Sequence, residues 1–150
     1  SAMQPRLRVA VIGTGSLGDD VRREGRQFGG GNVEFFLGDI RKDLPDGPYD
    51  NVICDASFEY LSESDLLALL QDVKRRLRPS GIFSGQIILQ TVVLPEYKRV
   101  FSKIDDLHAV LKPHFRMVRY LESKHSSRHS VFFYASDLDI AGIGPKELRV

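Results

Sequence analysis

The chain has 150 residues, of which 42% are hydrophobic and 27% charged, which is typical of one globular domain able to bury its own core. Its 21 Lys and Arg residues nearly balance its 20 Asp and Glu residues, so no overall field draws it onto nucleic acid or anionic lipid. A single cysteine excludes an internal disulfide, and the lack of an apolar leader or long apolar run predicts a cytoplasmic protein without membrane contact.

The first part of the chain predicts two strands around a glycine-rich turn. A β-branched apolar run predicts a buried parallel strand over residues 6–12. The turn that follows has the sequence Gly13-Thr14-Gly15-Ser16-Leu17-Gly18, and a short helix is predicted over residues 19–27. A second strand is predicted over residues 33–37 and ends at Gly38-Asp39. Residues 1–2 resemble a tag remnant. We predict a domain over residues 3–136 and a tail over 137–150.

The middle of the chain predicts a strand, a helix and another strand. Residues 52–54 form an apolar strand bounded by Asp50 and Asp55, in which Cys54 is interpreted as buried filler. Ser62 and Asp65 have the spacing of a capping box for a leucine-rich helix that stops at residues 79–81, before a strand over residues 82–89. We interpret the basic residues at the end of this helix as a solvated helix terminus, not a nucleic-acid patch: Lys74, Arg75, Arg76 and Arg78.

The last part of the chain predicts a helix and a hairpin. Ser102 and Asp105 repeat the capping-box spacing before a helix that ends at Lys112-Pro113. Strands are predicted over residues 115–121 and 131–135, joined by a polar turn over residues 122–130. The whole pattern predicts a Rossmann-like α/β fold: a mostly parallel sheet with helices on both faces and a C-terminal antiparallel hairpin. Ligands of such sheets bind at the edge where the parallel strands end.

Four segments in this order resemble the class I S-adenosylmethionine-dependent methyltransferases. They are Val33-Glu34-Phe35-Phe36-Leu37-Gly38-Asp39-Ile40, Tyr49-Asp50-Asn51-Val52-Ile53-Cys54, Phe58-Glu59-Tyr60-Leu61 and Leu77-Arg78-Pro79-Ser80-Gly81. The resemblance covers residues 33 to about 136. It implies the family's fold and S-adenosylmethionine as cofactor, with Gly13 and Gly15 at the positions where backbone approaches the cofactor's methionine portion.

The sequence departs from that family in two ways. Val11 stands where the family usually has an acidic residue, and about one strand and one helix are missing between Gly13 and Val33. Either the strand over residues 33–37 takes the third-strand place and the second is deleted, or it lies next to the first strand. In the second version Asp39 takes the ribose position, where a carboxylate accepts two hydrogen bonds from a diol.

The resemblance also suggests site residues. Asp55, at the tip of its strand, is predicted to line the cofactor site. Glu59-Tyr60 stands where many small-molecule methyltransferases have a Glu-His pair, which makes Tyr60 a candidate to contact substrate. His125 and His129 in the polar hairpin turn are candidate bases, since an unperturbed imidazole titrates near pH 6.5. We predict no metal site, because two histidines and a glutamate in a hairpin lack a fixed geometry.

Three functions remain open from the sequence. The first is a methyltransferase acting on a small molecule. The second is a non-catalytic binding or regulatory module of the same fold, with a protein partner or a second copy of the chain in a homodimer. Val11 and the missing strand and helix favour this second function. The third is an NAD(P)-binding domain, because Gly13, Gly15 and Gly18 fit G-x-G-x-x-G with Asp39 or Glu34 as ribose acceptor.

Overall fold

The computed structural model describes residues 7–12, 33–36, 46–55 and 58–140. These residues form a six-stranded sheet with the strand order β2-β1-β3-β4-β6-β5. The strands are β1 (Leu7–Ile12), β2 (Val33–Phe36), β3 (Tyr49–Asp55), β4 (Leu77–Ile88), β5 (Met117–His125) and β6 (Arg128–Ser136). Two α-helices are described, α1 (Glu63–Arg76) and α2 (Ile104–Leu111), together with a 3₁₀ turn at Phe58–Tyr60. The alternation of strands and helices predicted this Rossmann-like α/β arrangement.

The position of β2 decides between the two alternatives for the shortened first half. Leu7 pairs with Val33 and Ala10 with Phe36, so β2 lies directly beside β1 in parallel. On its other side β1 pairs with β3, with Ile12 opposite Cys54. The strand therefore lies next to the first strand, as the second alternative proposed. The helix predicted over residues 19–27 lies outside the described residues.

Helix α1 begins where the sequence predicts and ends earlier. The Ser62 side chain accepts a hydrogen bond from the Asp65 backbone N–H at 3.2 Å, which caps the helix. The predicted stop at residues 79–81 is wrong by one turn, because Leu77 already has extended backbone and pairs with Tyr49 as the first residue of β4. A register shift between Tyr49 and Asn51 absorbs the extra residues around Pro79.

The predicted capping box of α2 is off by one residue. The N-cap is Lys103, and the carboxylate that closes the box belongs to Asp106, not Asp105. Asp106 accepts hydrogen bonds from the backbone N–H groups of Ser102 and Lys103 and from the Ser102 hydroxyl, at 2.9 to 3.2 Å. Ser102 therefore lies one position before the cap, where its own groups are held by the same carboxylate.

The hairpin strands are longer than predicted. The residues predicted as a nine-residue polar turn mostly continue the β5–β6 ladder, which ends only at the pair His125–Arg128. The connecting turn is Ser126-Ser127, and Ser126 has a positive φ of 55°. Polarity misled the sequence analysis because β5 is an edge strand, and charged side chains are common on such edges.

The core is built on phenylalanine rings between the sheet and the helices. Phe133 lies 5.2 Å from Phe83 and 5.6 Å from Phe58 between ring centroids, and all three are essentially inaccessible to solvent. Leucines of both helices belong to the same buried cluster. Cys54 is also buried in it, as predicted. These rings join β4, β6 and the 3₁₀ turn, and so fix the position of the residues at the ends of the parallel strands.

Candidate functional site

The carboxyl ends of the parallel strands meet at one edge of the sheet. Strands β1, β2, β3 and β4 run in parallel. Strand β5 also runs in their direction, because β6 is antiparallel to both β4 and β5. The turn of the hairpin therefore lies at the same edge as the ends of β1, β3 and β4, as the sequence analysis proposed. We call this the carboxyl edge.

Of the predicted cofactor residues, the structure describes the backbone of Asp55. Gly13, Gly15 and Asp39 are outside the described residues, so their roles stay predictions. The last described residue of β1, Ile12, is paired with Cys54 of β3. Asp55 is the last residue of β3 and pairs with Gln86 of β4. Its predicted role at the cofactor also stays a prediction.

Tyr60 lies at the end of the 3₁₀ turn and is half-exposed. Its ring meets that of Tyr97 edge-on, with centroids 5.4 Å apart and planes at 68°. Partial burial raises the pKa of Tyr60, and the neighbouring Tyr97 and the charges of Glu96 and Glu59 raise it further. The phenol is therefore neutral at pH 7. This favours a hydrogen-bonding or packing role for Tyr60 over that of a base.

Glu59 is a buried carboxylate whose structural part the sequence analysis did not single out. Its side chain is 3% exposed, and its Oε1 accepts a hydrogen bond from the backbone N–H of Ile88 at 3.4 Å. Its backbone carbonyl accepts from the N–H groups of Lys98 and Arg99 at 2.8 and 3.3 Å. Glu59 thereby ties the end of β4 and the loop after it to the 3₁₀ turn. The sequence signal for Glu59 was that Glu59-Tyr60 stands where many small-molecule methyltransferases have a Glu-His pair.

The two histidines of the hairpin differ in their surroundings. His129 Nε2 lies 3.0 Å from Glu122 Oε2, and the His129 backbone carbonyl accepts from the N–H of Leu89 at 2.8 Å. His125 is exposed at the end of β5. The Glu122–His129 pair is the better defined candidate base, because the carboxylate holds Nε2 of the ring.

The structure does not bring all the predicted site residues into one cluster. His129 lies two strands across and about three residues beyond the row of Asp55, which corresponds to about 14 Å between their Cα atoms. Glu59 and Tyr60 belong to the turn that follows β3. The site is thus an edge on which an acceptor would have to lie between Asp55 and the hairpin.

Comparisons with known proteins agree with this architecture. A family model described as a methyltransferase domain matches residues 13–81. Among solved structures, the S-adenosylmethionine-dependent methyltransferase SibL is 14% identical, with a TM-score of 0.64 over 89% of this chain and 51% of SibL. Human N-acetylserotonin methyltransferase in complex with SAM is 14% identical, with a TM-score of 0.62 over 87% of this chain and 48% of that enzyme. The chain therefore has the fold of these methyltransferases.

A third similar structure is closer to this chain in length. The PH0226 protein from Pyrococcus horikoshii OT3 is 19% identical, with a TM-score of 0.56 over 89% of this chain and 84% of that one. In contrast, the chain spans only about half the length of SibL and of the human enzyme. No curated protein matches the sequence. The similar structures therefore establish the fold, and the acceptor is not given by any relative.

The basic residues at the end of α1 in this methyltransferase fold are neutralised by aspartates. Ion pairs join Lys74 to Asp137, Arg75 and Arg76 to Asp72, and Arg78 to Asp50. This pairing agrees with the interpretation of a solvated helix end. In the described part of the chain, no group of three or more His, Cys, Asp or Glu residues could hold a metal ion. No helix among those residues has the length and hydropathy needed to cross a membrane.

Proposed function

We propose that this chain binds S-adenosylmethionine at its carboxyl edge and transfers the methyl group to a small-molecule acceptor. The observation that carries the proposal is the pairing of Ile12 with Cys54, with β2 on the other side of β1. The strands β2, β1 and β3 thus lie side by side and run in parallel, and the glycine-rich sequence follows β1 in the chain. Similar structures support this choice, since human N-acetylserotonin methyltransferase was solved with SAM and DhpI with SAH.

The residues that end or follow the parallel strands in the sequence fit such a cofactor in chemical type. Gly13 and Gly15 follow β1 and offer backbone without side chains, Asp39 follows β2, and Asp55 ends β3. Carboxylates suit a ribose diol and an ammonium group. When bound, S-adenosylmethionine supplies a methyl group on a sulfonium. The chain's own task is to hold the acceptor in line with that methyl group and to exclude water.

We assign the proton transfer to the hairpin. As the bond between the acceptor oxygen or nitrogen and the methyl carbon forms and the sulfur–carbon bond breaks, the acceptor loses a proton. We propose that His129 receives it at Nδ1, and the contact of its Nε2 with Glu122 Oε2 at 3.0 Å supports this choice. His125 is the second candidate base. Tyr60, with its neutral phenol, donates a hydrogen bond to the acceptor or packs against it.

The test is a calorimetric titration with S-adenosylmethionine and S-adenosylhomocysteine, with NAD and NADP as controls. We expect micromolar affinity for the first two and none for the dinucleotides. Asp39→Ala and Asp55→Asn should each weaken that affinity at least tenfold, whereas Asp46→Asn, at an exposed aspartate before β3, should leave it unchanged. Equal affinity in all four proteins would remove the cofactor site from this edge.

A second candidate function is a non-catalytic binding module with the same fold. One observation favours it: Tyr60 stands where many small-molecule methyltransferases have a histidine, and a neutral phenol supplies no base there. In this case a protein partner or a second copy of the chain would be the ligand. No binding of any nucleoside in the titration would decide for the module. For either function we propose a cytoplasmic location, in keeping with the single, buried cysteine.

A further inference from the structure

A groove between α1 and α2 is formed by residues that the proposed function does not use. Its volume is about 320 Å³, at the lower end of the range of small-molecule sites. Its apolar wall consists of Leu66, Leu67 and Leu70 of α1, and of Ala109, Val110 and Pro113 of α2 and the turn after it. We call this cavity the interhelical groove. Apolar walls of this kind are typical of ligand sites, in which a few polar groups then orient the ligand.

The spacing of the leucines on α1 produces this wall. Residues three and four positions apart lie on the same side of a helix, so Leu70 lies beside both Leu66 and Leu67. Leu66 and Leu70 are buried and belong to the core, whereas the side chain of Leu67 is 46% exposed. An apolar group in the groove would therefore remove the side chain of Leu67 from water, which favours binding.

Arg99 places a positive charge on the lining of the interhelical groove. Its guanidinium carbon lies 5.9 Å from the centroid of the Phe101 ring. Its Nε is buried and has no hydrogen-bond partner, and its guanidinium forms no ion pair with any described residue. Lys74 and Arg78, in contrast, are both paired with aspartates. Because a buried N–H group without an acceptor is unfavourable, Arg99 is suited to receive an acceptor from a ligand.

The other two polar residues of the lining leave the charge of Arg99 uncompensated. Burial, together with the charge of Lys74, lowers the pKa of His114, so its imidazole is neutral at pH 7. Glu63 is exposed in the first turn of α1, where water screens its charge. A guanidinium binds a carboxylate through two parallel hydrogen bonds. The groove thus combines a site for an anionic head group with a wall for an apolar tail.

We infer that the interhelical groove is a second ligand site, which binds a monocarboxylate with an apolar tail of medium length. The carboxylate pairs with the guanidinium of Arg99, and the tail lies against the leucines of α1. The inference does not rest on the proposed function, because the lining residues of the groove differ from those proposed for the cofactor and for methyl transfer.

The experiment measures binding of octanoate to the full chain by calorimetry. Two further probes separate the head group from the tail. Octanol has the same tail without the charge, and butyrate has the charge with a short tail. We expect octanoate to bind about tenfold more tightly than either, because only octanoate can contact both Arg99 and the apolar wall.

Four variants test the residues of the groove. Arg99→Gln should weaken octanoate binding about tenfold, and Arg99→Lys should weaken it less, because the charge remains without the two parallel donors. Leu67→Ser should weaken it about threefold, since it removes apolar contact area at an exposed position. The matched control is Lys98→Gln. Lys98 is the neighbouring exposed cation and its backbone N–H also donates to the carbonyl of Glu59, but its side chain does not line the groove, so octanoate should bind this variant like wild type.

The outcomes separate this site from the proposed cofactor site. Circular dichroism reports whether each variant folds, and if Arg99→Gln does not, Arg99→Lys and Leu67→Ser decide in its place. The inference is overturned if wild type does not bind octanoate, if octanol binds equally well, or if the folded groove variants bind like Lys98→Gln. It is also overturned if saturating S-adenosylhomocysteine displaces octanoate, which would place octanoate in the cofactor site. If S-adenosylhomocysteine itself does not bind, the proposed function fails, whereas the octanoate affinities still decide the interhelical groove.

Discussion

The two edges of the sheet differ in the pairing of their polar groups and in the exposure of their apolar groups. At the amino edge, where the parallel strands begin, cations of α1 and β4 are paired with aspartates, and Asp50 also accepts the backbone N–H of Arg8 at 2.9 Å. At the carboxyl edge, three consecutive apolar side chains are exposed and a histidine is held by a glutamate with one ring nitrogen left over. Groups paired within the fold serve stability, whereas groups left for a ligand serve binding.

This contrast has a physical basis. Ion pairs near the surface each contribute little to stability. An aspartate that also accepts a backbone N–H contributes more, because that N–H loses its hydrogen bond to water on burial and needs another acceptor. The carboxyl edge gains nothing comparable from Val92 and Val93, which remain in water. We therefore expect substitutions at the amino edge to lower the free energy of unfolding, and substitutions at the carboxyl edge to lower activity or binding.

The largest expected effect is at the Glu122–His129 pair. His129→Gln should lower methyl transfer about 100-fold, because the acceptor's proton then has no receiving group, whereas the melting temperature should change little. Glu122→Gln should lower it less, since the imidazole remains but is no longer held by a carboxylate. The measurement is the rate of S-adenosylhomocysteine formation with an acceptor that wild type methylates.

His125→Gln separates the two histidines in the same assay. The structure favours His129, because His125 lies exposed at the end of the hairpin. We expect the His125 variant to lose less than threefold in rate. A larger loss there than in the His129 variant would transfer the role of base to His125 and leave the Glu122–His129 contact as a structural pair.

The next effect in size is at the amino edge. Asp50→Ala should lower the free energy of unfolding by about 2 kcal/mol, because it removes the acceptor of the Arg8 N–H and the partner of Arg78. Asp50→Asn keeps an acceptor oxygen and should cost about half as much. Urea unfolding measures both. Affinity for S-adenosylhomocysteine should be unchanged, and a loss of affinity without loss of stability would contradict the separation of the two edges.

The strand order could be predicted from the sequence further than the site could. Apolar runs ending at Ile12 and Cys54 predicted parallel strands, and their alternation with helices predicted the sheet. The sequence left open whether the strand at Val33 lies beside β1, because strand pairing depends on the whole sheet and not on local pattern. The extent of β4 and β5 was also missed, since β4 begins before Pro79 and β5 pairs with β6 through charged residues that local pattern assigns to turns.

The candidate site shows a different limit. Glu59 and Tyr60 were located by their resemblance to a motif, but the contacts of Glu59 with Ile88 and Lys98 depend on the end of β4 and on the loop after it. The neighbour of Tyr60 is Tyr97, in the same loop. No local pattern contains such contacts. The aromatic pair could be found only in the folded chain.

The register of the capping box of α2, which the sequence predicts one residue too early, can be tested through an effect of about 1 kcal/mol on stability. Asp106→Ala should lower the free energy of unfolding by about that amount, because three hydrogen bonds from Ser102 and Lys103 end on its carboxylate. Asp105→Ala, which the sequence analysis would have chosen, should cost clearly less. Urea unfolding of both variants decides the register of the cap, and a greater loss with Asp105 would restore the predicted one.

The smallest expected effect is the pH dependence that Asp137 gives to the amino edge. Burial alone would raise the pKa of Asp137, but hydrogen bonds from the Lys74 side chain and the Arg116 backbone, with the charge of Lys74, outweigh it and lower that pKa below 3.8. A carboxyl group whose pKa is lower in the folded than in the unfolded state stabilises the fold above its unfolded pKa. This stability is lost as the pH falls from about 4 through the folded pKa.

Asp137→Asn should therefore lower the free energy of unfolding at pH 7, by less than about 1 kcal/mol because the pair is partly exposed. At pH 2 the variant should unfold like wild type. Asp46→Asn is the matched control, since Asp46 also faces a cation of α1 but its side chain is fully exposed, and its melting curve should follow wild type at every pH. Parallel curves for wild type and Asp137→Asn down to pH 2 would mean that the contact between Lys74 and Asp137 does not stabilise this edge, and would leave Asp50 as the aspartate on which its stability rests.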